Sequence, residues 1–186
     1  MSDEKPKIIV VDEDSGCISR VSDRREEQKP RVGVATIVMN VGNNVLLGRS
    51  NKPATKGQWI IPGGGIKPFE TIQETSTREI REETGIEVAN QEMLFLSERV
   101  RKDENDHRLV IYVSGQAVGG VLRSIFTPDD ELSEVRWVDP RDLGLYQHEM
   151  SEMTVDAFMK FSYVLRAKAA HAVQQMAQGQ QGQTEN

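Results

Sequence analysis

Three glutamates, Glu79, Glu82 and Glu83, crowd into the segment PGGGIKPFETIQETSTREIREETGI at residues 62–86. On a helix turning about 100° per residue they share an arc of roughly 100°, because they stand at i,i+3 and i,i+4 spacing. Each like-charge pair at that spacing costs about 0.2–0.5 kcal/mol. Gly85 has the character of a helix-ending residue, so Glu82 and Glu83 fall at the electronegative end, which costs a further 0.3–1 kcal/mol or so apiece. One reading is a solvated acidic face, relieved by a Glu74–Arg78 pair at i,i+4 and by Arg81 nearby. The other is a bound divalent cation, which reverses the sign of every penalty and prefers carboxylate oxygens as ligands. Ahead of the helix, Gly63, Gly64 and Gly65 can bring bare backbone against a phosphate, since glycine has no side chain to collide with it.

The conjunction decides between the two. Gly64, Glu70, Arg78, Glu79, Ile80, Glu82, Glu83, Gly85 and Ile86 occupy all the fixed places of G-x5-E-x7-R-E-U-x-E-E-x-G-U, where U is a bulky aliphatic residue. This stretch resembles the Nudix box, with Trp59 and Pro62 as its approach. The resemblance implies an α/β Nudix fold, a mixed β-sheet sandwiched between helices. It also implies a hydrolase that cleaves a nucleoside diphosphate linked to another group, using Mg²⁺ or Mn²⁺ and a water nucleophile. By position, Glu79, Glu82, Glu83 and the Gly63 carbonyl are the implied metal ligands, and Arg78 orients the carboxylates. Glu70 lies about 180° from Glu79 on an ideal helix and is expected to support the site, with Gly64, from the loop-to-helix junction. Two variable positions depart from many relatives, which carry a glutamate at Lys67 and a glycine at Phe69.

A metal ion at such a site neutralises pyrophosphate charge and acidifies a water for in-line attack. A proton acceptor outside the box is then needed. The acidic cluster PDDELSE at residues 128–134 is the candidate, with Glu131 favoured and Glu134 in reserve. His107, His148 and His171 show no metal-ligand spacing, although His148 can replace a carboxylate base. Arg49, Lys52 and Lys56 precede Trp59 and are candidates to touch phosphate, Arg49 foremost. Trp59 and Trp137 read as core.

Strand-like runs surround the charged helix, expected over 70–84: RVGVATIVMN, NVLLGRS and QWIIP before it, and EMLFLSERV, RLVIYVSGQAV and EVRWVD after. A second helix is expected over 147–175, with Val155, Phe158, Met159, Leu165 and Ala169 along one apolar side. The expected Nudix domain covers residues 31–170. Residues 171–186 are expected to be a disordered polar tail. KIIVVD and CISRVS flank a turn-rich EDSG and suggest a β-hairpin arm over residues 1–30. An isolated hairpin needs something to pack on, either its own domain or a second copy.

The net charge of -6 argues against a general nucleic-acid or membrane-surface binder. A single cysteine, Cys17, permits no internal disulfide and suits a cytoplasmic setting. The apolar run near the amino terminus is too short for a secretory signal core, and the long uncharged stretch at 32–48 is interrupted by turn residues, so no membrane span is expected.

The substrate side is less defined. ADP-ribose enzymes of the family often carry a proline some fifteen residues beyond the box, and none stands between Pro68 and Pro128. The hairpin arm resembles the arm with which nucleoside diphosphate sugar hydrolases and ADP-ribose pyrophosphatases dimerise. A homodimeric hydrolase of nucleoside diphosphate sugars, such as ADP-ribose or GDP-mannose, is therefore expected. The alternatives are a nucleotide-pool sanitiser acting on (deoxy)nucleoside triphosphates and a non-catalytic nucleotide-sugar sensor.

Overall fold

The computed structural model describes residues 29–181. The expected arm, except its last two residues, and Cys17 lie outside the described residues. Seven strands form one mixed sheet: β1 (Arg31–Met39), β2 (Val45–Ser50), β3 (Trp59–Ile60), β4 (Gly63–Gly65), β5 (Ile86–Arg101), β6 (Asp106–Gly120) and β7 (Leu132–Val138). The order is β3-β2-β1-β6-β5, with β4 also paired to β1 and β7 to β2. β1 and β6 run parallel, whereas the other pairs are antiparallel. Helix α1 (Ile72–Thr84) covers one face and α3 (Glu152–Gln181) the other, with the single turn α2 (Leu143–Tyr146) between β7 and α3.

The centre of β1 is apolar except for Thr36, whose hydroxyl bonds Ser76 on α1, because both faces of the strand are buried. Val38 packs with Leu46, Ile80 and Ile86 under α1, while Ala35 and Ile37 pack with Leu47, Trp59, Ala157 and Phe161 under α3. Trp59 is core, and Trp137 packs partly buried against the α1 cluster. α1 begins at a capping box. The Thr71 side chain accepts from the Glu74 N–H, while the Glu74 carboxylate accepts from the Thr71 N–H at 2.8 Å. Glu74 is therefore engaged at the helix start and does not form the pair with Arg78 expected from their spacing. Gly85 closes the helix in the left-handed conformation, as its position in the sequence indicates.

The second helix differs from expectation at both ends. It starts at Glu152, and it continues to Gln181, so residues 171–181 are helical rather than part of a polar tail. Alanine and glutamine, abundant there, are good helix formers. Its buried contacts with the sheet come from its first turns: Ala157 and Phe161 are buried, whereas Met159 and Leu165 are exposed, and Lys168 pairs with Glu92 on β5. Among the described residues no helix is long and apolar enough to cross a membrane.

Candidate active site

β4 brings the box glycines against β1, with Ala35 opposite Gly63 and Val34 opposite Gly64. Neither glycine has room for a side chain. A Cβ on Gly63 would lie 2.1 Å from the Val34 carbonyl oxygen, and one on Gly64 would lie 2.4 Å from the Glu79 carboxylate. The space left by Gly64 is thus the seat of Glu79, and the Gly63 N–H donates to Glu83 Oε2 at 2.9 Å.

Arg78 ties the acids together. Its Nε and Nη2 donate to Glu70 at 2.6 and 2.8 Å. Its Nη1 reaches Glu79 at 2.6 Å and Glu82 at 3.3 Å, and Nη2 also donates to the Gly65 carbonyl at 3.1 Å. Glu70 stands at the loop-to-helix junction, as its angular position indicates. There the Arg78 hydrogen bonds pull its carboxyl down to about 2, helped by the Lys67 N–H and the Thr75 hydroxyl.

Glu79 and Glu83 are buried, while Glu82 is more than half exposed. Burial pushes Glu83 well above the ordinary carboxylate range, and the charges of Glu131 and Glu79 push it further, against the opposing pull of Lys52 and the Gly63 N–H. While Glu83 is ionised its Oε1 is buried with no hydrogen-bond partner; once protonated, it can donate to Glu131. A buried oxygen of this kind costs about 1–3 kcal/mol while it remains unsatisfied.

Among the described residues, no three acidic or histidine side chains converge as a ready-made metal cage. The donor set nonetheless fits a hard divalent cation. It comprises the unpartnered Glu83 oxygen, the neighbouring Glu79 and the exposed Glu82, all carboxylate oxygens of the kind Mg²⁺ and Mn²⁺ select.

A cleft of about 370 Å³ is lined by Glu79, Glu82 and Glu83 together with Glu131, Arg123 and Asp129. Glu131 thus joins the box glutamates, and its carboxylate is 2.5 Å from Lys52 Nζ. Its partial burial pushes its pKa upward, but the Lys52 hydrogen bond and charge outweigh this and hold it below the ordinary range. Glu134 stands apart, 2.5 Å from Arg136 on β7. His148 lies in a short 3₁₀ turn beyond α2, His107 bonds Glu98 at 2.9 Å, and His171 bonds Gln175 on α3.

Arg49 does not join the glutamates. Its Nε donates to the Gly57 carbonyl at 3.0 Å and its guanidinium lies over the Trp59 ring. Of the three basic candidates, Lys52 stands near the acids, paired with Glu131, and Lys56 is exposed.

A second group escaped sequence reasoning altogether. Asp106 is buried at the start of β6 and accepts hydrogen bonds from Arg31, from Arg99 Nη2 at 2.6 Å and from Arg108 Nε at 2.7 Å. The only local signal was the high charge of the RKDENDHR turn.

A mixed sheet between two helices, with a glycine strand seating a glutamate-rich helix, is a Nudix fold. Residues 29–157 match the model of the NUDIX domain, and the chain belongs to that family. The nucleoside triphosphatase NudI of Salmonella typhimurium is 32% identical over 130 residues, 63% of this chain and 88% of that protein. The 8-oxo-dGDP phosphatase NUDT18 of Danio rerio is 28% identical over 130 residues, 69% of this chain but only 38% of that longer protein. Among solved structures, the NUDIX domain of Shewanella oneidensis NrtR complexed with ADP ribose matches with a TM-score of 0.64 at 16% identity, covering 77% of this chain and 93% of that one. A NUDIX hydrolase from Nitrosomonas europaea matches at 0.59 and 21%, covering 73% and 90%. At these identities the structural matches speak to the fold.

Proposed function

We propose that this chain hydrolyses the pyrophosphate bond of nucleoside diphosphate sugars, such as ADP-ribose or GDP-mannose, to a nucleoside monophosphate and a sugar phosphate. The observation that carries the metal-dependent reading is the buried, unpartnered Glu83 oxygen beside Glu79 and facing the cleft that Glu131 shares. Glu79, Glu82, Glu83 and the Gly63 carbonyl hold Mg²⁺ or Mn²⁺, which supplies positive charge to the pyrophosphate oxygens. Glu131 accepts the proton of the attacking water as the new P–O bond forms and the bridging P–O bond breaks. Arg78 fixes the orientation of Glu79 and Glu82, and Glu70 fixes Arg78. Lys52 keeps Glu131 ionised and so ready to accept that proton.

The sugar assignment is supported by the resemblance of the arm to that of dimeric sugar-nucleotide enzymes. A second reading, hydrolysis of nucleoside triphosphates, is favoured by the 32% identity to NudI across most of that protein's length. A panel of ADP-ribose, GDP-mannose, further nucleotide sugars and nucleoside triphosphates with Mg²⁺ or Mn²⁺ separates them by products. Turnover of the sugars with release of nucleoside monophosphate is expected; turnover of triphosphates alone installs the second reading. Binding of nucleotide sugars without cleavage of any substrate would make the chain a sensor. The homodimer through residues 1–30 belongs to the same proposal. Removal of residues 1–29 should halve the mass in solution, and an unchanged mass would dismiss it.

A further inference from the structure

The three arginines on Asp106 lie beside the proposed active site. Register places Arg31 opposite Arg108 across the parallel β1–β6 pair, and Arg99 opposite Arg108 across β5–β6. All three therefore stand on the α3 face of the sheet, beyond the end covered by that helix. A cleft of about 240 Å³ runs from Gly63, Gly64 and Lys52 along β1 to Arg31 and Arg108. Arg31 also borders a neighbouring hollow of about 660 Å³ that adds Lys29, Arg101 and Lys102. From Ala35, opposite Gly63, to Arg31 is four residues of strand, about 13 Å. One end of this cleft is thus at the box glycines and the other at the arginines.

The charge does not balance at the arginine end. Asp106 contributes one negative charge to three guanidiniums, which have no other ion-pair partner among the described residues. Two positive charges remain, in a protein whose net charge is -6. Asp106 occupies Arg108 through Nε alone, and among the described residues no acceptor meets the Arg108 Nη1 and Nη2 fork. That fork is the part of arginine that matches a carboxylate or phosphate with two parallel hydrogen bonds. Asp106 is buried and holds Arg31 and Arg99 by their terminal Nη2 atoms but Arg108 by Nε, so the Arg108 fork is the end it presents. A neutral sugar would gain nothing from two uncompensated charges, whereas an anion would.

Resting on the pyrophosphohydrolase reading above, we propose that this cleft binds an anionic group, carboxylate or phosphate, that the substrate carries on the far side of the scissile pyrophosphate. Arg31 and Arg108 contact it, and Asp106 positions both. The preferred substrate is then a nucleotide linked to an acidic group rather than to a neutral hexose.

Three substrates sharing one base test this: a nucleoside diphosphate linked to a neutral hexose, the same compound with a uronic acid, and the same compound with a phosphorylated hexose. Wild type should favour at least one acidic substrate in kcat/KM by about tenfold or more, a preference the size of one good charged contact. Which acidic substrate wins distinguishes carboxylate from phosphate. In Arg108→Gln the preference should fall by about tenfold, chiefly through KM. Arg31 and Arg99 still hold Asp106 in that variant, and an unchanged circular dichroism spectrum checks its fold. Equal kcat/KM on all three, or an Arg108→Gln loss that is the same for neutral and acidic substrates, overturns the proposal. Failure of the hydrolase reading is read separately. If wild type cleaves none of the three, calorimetric titration with glucuronic acid 1-phosphate and glucose 1-phosphate examines the cleft without turnover. Tighter binding of the uronate that Arg108→Gln abolishes upholds the cleft, and no difference between the two ligands overturns it.

Discussion

Glu83→Gln should make the metal-free protein more stable while abolishing its activity. In the wild type, Glu83 Oε2 accepts from the Gly63 N–H at 2.9 Å, and Oε1 is buried without a partner. A glutamine keeps the first bond through its carbonyl. Its amide takes the position of the unsatisfied oxygen as a donor, facing the acidic side of the cleft. Removing a buried unsatisfied charged atom is worth about 1–3 kcal/mol, or roughly 2–12 °C in Tm for a chain of this length. The pH dependence follows from the raised Glu83 pKa. Below the ordinary glutamate value of 4.5 the group is protonated in both folded and unfolded chains, so wild type and variant should nearly coincide. As pH rises from there through the raised folded value, the unfolded chain ionises freely while the folded chain resists, and the wild type loses stability that the variant keeps. Thermal melts in chelator at a series of pH values provide the assay. The gap should open with increasing pH, and saturating Mg²⁺ should stabilise only the wild type. A variant less stable than wild type in chelator at neutral pH, or a gap independent of pH, would refute the reasoning.

Arg78→Gln frees Glu70, Glu79 and Glu82 at once and should lower metal affinity or turnover about 10–100-fold; a Mn²⁺ titration followed by activity reads both. Glu131→Gln should cost on the order of 10²–10⁴ in kcat as a lost general base, whereas Glu134→Gln, beside Arg136, should remain within a few-fold of wild type in the same steady-state assay. Reversal of that order would move the base to Glu134. Phe69 stands fully exposed at φ 70°, a left-handed conformation that costs a side-chain-bearing residue roughly 1–2 kcal/mol. Phe69→Gly should therefore raise the unfolding free energy by about 0.5–1 kcal/mol in denaturant titration, once the greater freedom of glycine in the unfolded chain is subtracted.

The box was legible because its physics is local. Nine positions within 23 residues run from one glycine strand through the loop and helix α1 to the first residue of β5, so their local spacing brings Gly64 close to Glu79. Phe69 shows the same locality: its departure from the common glycine falls on a left-handed residue, where glycine is the unstrained choice. The Asp106 cluster was not legible, because Arg31 is 75 residues from Asp106 and reaches it only through the β1–β6 register. The surroundings of Arg49 were not legible for a related reason. Its proximity to Trp59 in sequence says nothing about which side of the strand it faces, and the guanidinium turns toward Gly57 and the indole ring. For α3, helical periodicity was sound but burial was not. Beyond Phe161 the helix meets the sheet mainly through Lys168, which pairs with Glu92, and Leu165 is left exposed although it repeats on the expected side.

The central claim is that the box carboxylates become productive by holding a divalent cation. It is tested most directly by the initial rate of nucleoside monophosphate release from ADP-ribose or GDP-mannose in chelator, then on titration with Mg²⁺ or Mn²⁺, for wild type and Glu82→Gln. The account predicts no release in chelator, a saturable rise with metal in the wild type, and a rise in Glu82→Gln that is far smaller or needs far more metal. Release in chelator, or identical metal curves for the two proteins, would contradict it.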